Sequence, residues 1–421
     1  MKTLVNICRI IVGVLFIFSG LIKANDPLGL AYKMEEFFEI WNTGLMEGSF
    51  FMKDILIGTF SFFHEHSLFL SVMMIAFEII AGAALLLGWR IKLFSWLLLL
   101  LIVFFTFLTA YAFLAKNPDG APKFSNCGCF GDCLPIPPLA SFLKDVFLTI
   151  LIVFLFFKRK WITPLFSSRP TTIAMVLVTL FSFGIQWYTL NYLPILDCLP
   201  YKKGKSIPEQ MKVPANAVLP EYETILQYEK NGKKIEFPAT AYPADYDSTY
   251  KFIKMDTRLV KPGKNNVPPI VSFKLEGISK SDSTDIILAQ PFALLIYSRD
   301  NETVASGWKN DIAKLYTAAH EKGMPVYVIT AQLKDAISNF SDPRFAGIQF
   351  FTCDPTAIKT ASRTNPCIYL LKQGTIVDKW SYHEAGKATR KVMSVVVPPV
   401  VSEPEPLKDS APPPIENTKI K

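Results

Sequence analysis

The sequence is poor in two residue patterns that would point to familiar redox centres. Histidine is scarce, with four in 421 residues, and none lies in the first four long apolar runs. A haem held by two histidines inside a helical bundle is therefore excluded. Cys-x-x-Cys is absent, which argues against dithiol catalysis through that motif. Three closely spaced cysteines without paired Cys-x-x-Cys knuckles are also only a weak signature of a zinc site.

Apolar residues, in contrast, are abundant. Half of the chain is hydrophobic, and 34 residues are phenylalanine, so we expect a membrane part as well as soluble structure. About 20 apolar residues cross a bilayer, and five segments are long enough: residues 4–23, 67–89, 93–115, 139–157 and 171–196. The net charge of +8 is explained by short basic loops and scattered lysines, and it does not imply a nucleic-acid partner.

The basic residues in the short loops predict the orientation of these spans, because lysine and arginine mark the cytoplasmic side. They occur at three alternate span ends: Lys2 and Arg9; Arg90 and Lys92; Lys158, Arg159, Lys160 and Arg169. The N-terminus is then inside, and everything after Asp197 lies outside a bacterial cytoplasmic membrane. A cleaved signal peptide is the alternative interpretation of residues 1–24, and it leaves the later topology unchanged.

Three of the seven cysteines cluster in a loop between the third and fourth spans, Phe124–Cys133. Gly128 and Gly131 favour a turn that brings sulfurs together, and the predicted outer location is one where disulfides persist. Cys127 and Cys129 can form a strained, exchangeable bond, with Cys133 as the resolving thiol. The alternatives are a permanent bridge such as Cys133 to Cys198, or a metal held by three thiolates.

A carboxylate lies deep in the second span. Glu78 is about eleven residues from the outer end, and a charge at that depth is costly unless it is paired, protonated or facing a polar cavity. Glu78 is a candidate proton carrier or a contact for a membrane quinone. Its alternative role is that of a neutral acid bonded to a neighbouring helix. Lys23, at the end of the first span, is the second candidate quinone contact and is long enough to reach the lipid head groups.

The first part of the chain, about residues 1–160, resembles the DoxX/MauE group of redox-associated membrane proteins. The similarity rests on Phe-Ser-Gly-x-x-Lys-x-x-Asp-Pro at residues 18–27, Glu78 followed by Gly88-Trp89-Arg90, and Cys-Gly-Cys-Phe-Gly at residues 127–131. The resemblance implies a four-helix core, formed by spans one to four, with thiol oxidation or quinone-linked electron transfer. Cys127 and Cys129 fall in the family motif, whereas Cys133, the fifth span and the C-terminal half extend beyond it.

Beyond the fifth span the composition becomes polar. Residues 198–290 predict a β-rich entry region with short strands such as Tyr250–Ile253 and Ile270–Leu275. Strands and helices then alternate from Phe292 to about residue 380, which predicts a soluble α/β domain over residues 291–393. Residues 161–197 are assigned to a cytoplasmic loop and the fifth span, and residues 394–421, with seven prolines, to a disordered tail.

The end of the α/β segment resembles a thioredoxin-like domain of the TlpA type. The similarity covers about residues 262–393, and its most specific piece is Thr364-Asn365-Pro366-Cys367 followed by a Lys-x-Gly hairpin. It implies that Pro366 is a cis proline. Where that family places Cys-x-x-Cys, this chain has Ser298-Arg299-Asp300-Asn301, so the resemblance implies a binding module. Cys353 and Cys367 either pair, receive electrons from the membrane loop, or pack as buried thiols.

These observations favour a multi-pass membrane protein: a helical bundle with a four-helix DoxX-like core plus a fifth span, followed by a soluble thioredoxin-like α/β domain. Cys127, Cys129 and Cys133 would exchange disulfides at the outer face, Glu78 and Lys23 would contact a quinone in the lipid bilayer, and the soluble domain would dock an extracytoplasmic protein partner. The rival hypothesis is a non-enzymatic envelope scaffold whose cysteines form structural disulfides.

Overall fold

The computed structural model describes residues 1–47, 51–124, 126–128, 130–299 and 307–398. Seven helices make up the membrane part: α1 (Lys2–Ala24), α2 (Pro27–Glu47), α3 (Lys53–Glu65), α4 (Ser67–Leu87), α5 (Ile91–Leu114), α6 (Pro138–Phe157) and α7 (Ser168–Tyr192). Five of them, α1, α4, α5, α6 and α7, are long and apolar enough to cross a membrane. The prediction of five long apolar helices is therefore confirmed, with boundaries within a few residues of those expected.

The helix α2 spans 21 residues and packs along α4. The Ser71 hydroxyl donates to the Pro27 carbonyl at 2.7 Å, and the Ser67 hydroxyl donates to Glu35 at 2.7 Å. Because its apolar face is buried against the bundle, α2 forms a wall of the membrane part.

At the end of the bundle where α1 begins and α4 ends, the Arg9 side chain links three segments. Its guanidinium donates to the carbonyls of Leu85 at 2.8 Å, Leu86 at 2.5 Å and Thr163 at 2.9 Å. The first two carbonyls lie in the last turn of α4, where a helix no longer supplies the regular N–H partner four residues further on. Arg9 is 5% exposed, so it ties α1, α4 and the loop before α7 into one unit.

The soluble part follows α7 and contains six helices and eight strands within the described residues: α8 (Ile207–Gln210), β1 (Glu221–Lys230), β2 (Lys233–Pro238), β3 (Lys251–Lys261), α9 (Thr284–Ala289), β4 (Ala293–Ser298), α10 (Trp308–Glu321), β5 (Val326–Thr330), α11 (Leu333–Asn339), β6 (Gln349–Thr352), α12 (Pro355–Ala361), β7 (Cys367–Lys372), β8 (Thr375–Ser381) and α13 (Ala385–Ser394). Single 3-10 turns occur at Arg159–Trp161, Pro343–Phe345 and Tyr382–Glu384.

A five-stranded sheet in the order β6-β5-β4-β7-β8 forms the centre of the soluble part. The strands β4, β5 and β6 are parallel, and β7 and β8 run antiparallel to their neighbours. Alternate residues of β4 enter two different cores: Leu295 and Tyr297 pack on one face, and Leu294 and Ile296 pack on the other. Because both faces of the strand are buried, it is apolar throughout.

A separate antiparallel sheet, β2-β1-β3, precedes the five-stranded one, and it provides the β structure expected in the entry region. The expected strand at Ile270–Leu275 is wrong, because these residues are irregular coil. Ile270, Phe273 and Leu275 are nevertheless buried in the core beneath the five-stranded sheet, and Ser272 has a φ of 55°. Their alternating pattern therefore reflects packing of a bent segment against that core.

Candidate functional site

A buried ion pair lies inside the helical bundle. The Lys23 ammonium is 2.6 Å from a Glu78 carboxylate oxygen, and both side chains are 4% exposed. The Lys23 nitrogen also lies 4.8 Å from the centre of the Phe105 ring, a cation–π contact. The expectation that Lys23 extends to the lipid head groups is wrong, because the buried carboxylate draws it inward and each charge compensates the other.

This ion pair forms part of the wall of a partly open cavity of about 60 Å³. The cavity wall also includes Phe37, Trp41 and Cys127. Its lining is predominantly apolar and aromatic, and its buried polar residues are Ser19, Lys23, Glu78 and Thr109. An apolar wall with a few buried polar groups is typical of sites that bind small organic molecules.

A second ion pair lies close to the first. The Lys144 ammonium is 2.7 Å from Asp145, whose side chain is 1% exposed, and the Thr109 hydroxyl donates to the other Asp145 oxygen at 3.1 Å. A smaller cavity of about 20 Å³ has both Glu78 and Asp145 in its wall. Asp145 was not among the predicted site residues, although it is an acidic residue inside an apolar run, the same signal that singled out Glu78.

Cys127 lies at the edge of the larger cavity. It is 8% exposed and packs with Phe37, Ala112 and Phe124. The next residue, Gly128, has a φ of 69°, which is the left-handed conformation that glycine adopts without a steric penalty. A Cβ at Gly128 would lie 3.0 Å from the Lys33 side chain of α2. The glycine therefore allows the cysteine loop to press closely on α2. Cys129, predicted as the partner of Cys127, lies outside the described residues.

Cys133 forms a disulfide with Cys198, with Cα atoms 4.8 Å apart and a sequence separation of 65 residues. This is the pairing that the sequence left open as the structural alternative for Cys133. The bond joins the cysteine loop to the segment that follows α7. Asn25 reinforces this junction, since its amide nitrogen donates to the Leu196 carbonyl and its amide oxygen accepts from the Leu196 N–H, each at 2.8 Å.

The soluble part contacts the membrane part through Arg363, which is 4% exposed. Its Nε lies 2.9 Å from both carboxylate oxygens of Asp26, and its Nη2 lies 3.2 Å from Asp132. Burial acts to lower the pKa of Arg363, but Asp26, Tyr32 and Asp132 raise it above its ordinary value. Burial also raises the pKa of Asp132, with Arg363 opposing that effect. Arg363 thus remains charged between two elements of the membrane part.

Tyr32 on α2 forms the centre of the same contact. Arg299 donates to the Tyr32 hydroxyl at 2.7 Å, and Lys359 and Arg363 lie 4.9 and 5.5 Å from the centre of its ring. Lys359 also donates to Glu35 at 2.8 Å. This cluster was not predicted. The sequence around an aromatic residue in α2 does not indicate that it contacts cations more than 260 residues away in the chain.

Cys353 and Cys367 are buried thiols in the core of the five-stranded sheet. Burial raises the pKa of Cys353 to about 11 and also raises the pKa of Cys367. Neither thiol is activated as a thiolate nucleophile at neutral pH. The peptide bond between Asn365 and Pro366 is cis, as the sequence resemblance implied. Cys8 is a buried thiol of the membrane part, as expected for a small apolar side chain.

The fold and the site together define a helical membrane protein with a soluble α/β part that is joined to it by a disulfide. Residues 51–158, about a quarter of the chain, match the family model of the methylamine utilisation protein MauE, and residues 222–262 match a domain of unknown function, DUF8463. The MauE match includes α4, α5, α6 and the cysteine loop, so this stretch of the membrane part is similar to MauE.

A curated protein also matches a short stretch of the chain. The chain is 38% identical over 60 residues to protein TlpB of Flavobacterium psychrophilum, which is 14% of this chain and 15% of that protein. The matched segment therefore spans far less than two thirds of the relative. No solved structure matches the chain.

Proposed function

We propose that the protein is an integral membrane thiol–disulfide redox protein in which Cys127 and Cys129 exchange disulfides at the outer face of a bacterial cytoplasmic membrane. The observation that carries this proposal is the position of Cys127, which lines the same cavity as the buried Lys23–Glu78 pair. A redox-active cysteine pair beside an apolar cavity with a buried lysine and carboxylate can pass electrons to a molecule inside that cavity. The similarity of residues 51–158 to MauE supports a membrane location for the reaction.

The proposed acceptor is a membrane quinone. A quinone supplies a two-electron, two-proton couple when bound, which balances the loss of two electrons and two protons as two thiols become a disulfide. The aromatic wall and the Lys23 ammonium support such a ligand, since the ammonium donates hydrogen bonds to carbonyl oxygens. Glu78, paired with Lys23, is placed to take up or return a proton at the cavity wall. The same balance holds when electrons flow in the opposite direction.

Cys133 has a secondary role in this proposal. Its disulfide with Cys198 holds the loop, and Cys133 serves as a resolving thiol only after that bond opens. A thiolate released when a Cys127–Cys129 bond is reduced can attack the Cys133–Cys198 disulfide, forming a new bond to one sulfur and releasing the other as a thiolate. The primary exchange is therefore assigned to Cys127 and Cys129.

The soluble part is proposed to be a thioredoxin-like domain that has become a binding module. Support comes from the strand order, with parallel β4 and β5 followed by the antiparallel β7 and β8, and from the cis peptide before Pro366. The edge that carries this proline already packs on α2 through Arg363 and Arg299. A protein partner of the soluble domain would therefore dock on another surface.

For the domain boundaries we propose those expected from the sequence. The proposed divisions are the membrane core to residue 160, the loop and fifth span to 197, the entry region to 290, the thioredoxin-like domain to 393, and the tail. The tail lies outside the described residues from 399 onward. The proposed orientation has the N-terminus inside and the soluble part outside, and it is supported by the disulfide that joins the cysteine loop to the segment after α7, since disulfides persist outside the cytoplasm.

A structural scaffold is the second candidate function, and the Cys133–Cys198 disulfide favours it. The two candidates are distinguished by replacing both Cys127 and Cys129 with serine. A redox protein should fold normally while the disulfide state of its partner proteins changes. A scaffold should lose stability while that state stays the same. Replacing Cys353 with serine is the control, because this thiol is remote from the loop in sequence and buried in the soluble core.

The direct test is differential alkylation and mass spectrometry on native membranes with graded reductant. We expect Cys127 and Cys129 to change state with mild reductant while the Cys133–Cys198 bond resists it. Adding a soluble quinone to the reduced protein should restore the oxidised state, and Glu78→Gln should slow this step. Complete resistance of Cys127 and Cys129 to reductant would contradict the redox proposal. An intact rate in Glu78→Gln would remove the role of Glu78 alone.

A further inference from the structure

The buried contact between the soluble part and the membrane part links the end of the cysteine loop to the start of α2. Arg363 contacts Asp132, which is the residue before the disulfide cysteine Cys133, at 3.2 Å. It also binds Asp26, which immediately precedes α2, through both carboxylate oxygens. A guanidinium has several N–H donors in a fixed fork, so one arginine can hold two carboxylates at the same time.

The helix that Arg363 holds also supports the other end of the loop. Along α2, Tyr32 faces the cations of the soluble part, and the neighbouring Lys33 packs against Gly128. The Lys33 ammonium is 2.5 Å from Glu36 and lies 5.9 Å from the centre of the Phe124 ring. The start of the loop therefore rests on α2, whereas its end is linked to α2 through Arg363.

We propose that Arg363 is a positioning residue through which the soluble part holds the cysteine loop closed over the membrane cavity. Asp26 and Asp132 both approach the same guanidinium, and each is a negative charge that the other repels. Without the arginine, the start of α2 and the end of the loop carry like charges in a partly buried space. Repulsion between them separates the loop from α2 and opens the edge of the cavity at Cys127.

This inference concerns the position of the loop, and only its consequence for electron exchange rests on the proposed function. If the loop does carry the redox cysteines, docking of the soluble part controls which molecules reach Cys127. The soluble part then acts on the reaction without a Cys-x-x-Cys pair of its own. The loop position can be measured whether or not the protein transfers electrons.

The test uses the full chain in lipid nanodiscs and the variant Arg363→Gln. Hydrogen–deuterium exchange of the peptide that covers residues 124–133 reports the position of the loop, and the alkylation rate of Cys127 after full reduction reports access to it. We expect both rates to rise about tenfold or more in Arg363→Gln, because local opening controls exchange and labelling of buried groups. Arg344→Gln is the matched control, since Arg344 forms an exposed ion pair with Asp342 at 2.6 Å within the soluble part.

Two further variants separate positioning from a general loss of stability. Arg363→Lys should give an intermediate rate, because one ammonium retains the charge but cannot bridge both carboxylates in the same way. Adding Asp132→Asn to Arg363→Gln should return the rates towards wild type, because it removes the repulsion from Asp26. A folded Arg363→Gln protein with wild-type rates would overturn the proposal, as would a double variant at least as open as Arg363→Gln. If Arg363→Gln fails to fold, a lysine variant with wild-type rates overturns it instead.

Discussion

Lys23 and Glu78 form an ion pair at 2.6 Å in the interior of the helical bundle, although the two residues are 55 positions apart in the sequence. The pair joins the end of α1 to the middle of α4 and borders the cavity that Cys127 also lines. Each residue makes the other tolerable in an apolar environment, because an isolated charge there would lack both water and a counter-ion. The pair is thus a structural element as well as a candidate site.

Removing one member of this pair should destabilise the protein more than removing both charges. Lys23→Met leaves the Glu78 carboxylate buried alone, and breaking a buried pair in this way costs about 3–5 kcal/mol. Adding Glu78→Gln should recover most of that loss. Thermal unfolding in nanodiscs measures both effects, and Lys203→Met is the control because its pair with Asp378 is exposed. A double variant no more stable than Lys23→Met would contradict the interpretation.

The Cys133–Cys198 disulfide should stabilise the junction between the cysteine loop and the soluble part. Replacing both cysteines with serine should lower the free energy of unfolding by at most about 4 kcal/mol, the value for a closed loop of this length. The loss should be smaller than that limit, since the enclosed helices α6 and α7 remain in the membrane when the soluble part unfolds. Urea unfolding of the double variant should match that of the reduced wild type. A reductant effect that persists in the double variant would point to another disulfide.

The buried thiol of Cys353 should react slowly and in a pH-dependent way. Because burial raises its pKa from 9.0 to about 11, the thiolate fraction should rise about tenfold per pH unit up to about pH 11. The same shift contributes stability that is fully present below pH 9 and is lost as the pH rises towards 11, since the folded state holds the proton more tightly. Alkylation rates of native and denatured protein measured from pH 7 to 11 check this. A plateau near pH 9 in the native protein would contradict it.

Close packing of α1 on α4 should make Gly82 intolerant of any side chain. A Cβ at Gly82 would lie 2.9 Å from the carbonyl oxygen of Gly13, so Gly82→Leu must push the two helices apart. Overpacking of this kind costs about 1–3 kcal/mol or more. Gly184→Leu on α7 is the matched control, since nothing lies within 4 Å of its Cβ position. The two variants should differ clearly in the amount of monodisperse protein recovered, and equal recovery would contradict close packing.

The sequence was sufficient to predict the elements that depend on local patterns. Five long apolar runs became the five long helices, and the alternation of strands and helices expected from Phe292 to about residue 380 became β4 to β8 with helices between them. These predictions succeeded because hydrophobic periodicity and length determine such elements nearly independently of the rest of the chain. The cis peptide at Pro366 came from a resemblance, since spacing alone does not specify it.

The sequence was insufficient where function depends on distant pairing. Glu78 was found because a buried acid is rare in a membrane helix, but its partner Lys23 was placed at the lipid head groups. Arg363 carried no local signal at all, since an arginine before a Thr-Asn-Pro segment has no pattern that distinguishes it from a surface residue. Its importance comes from Asp26 and Asp132, which lie 337 and 231 positions away. Only the tertiary fold brings these charges together.

The disulfide between Cys133 and Cys198 also determines how mechanical force passes through the molecule. A pull on the soluble part reaches the membrane part close to Cys198, where the chain offers two covalent routes. One route follows the backbone into α7, and the other crosses the disulfide to Cys133. Part of any tension on the soluble part is therefore delivered directly to the cysteine loop.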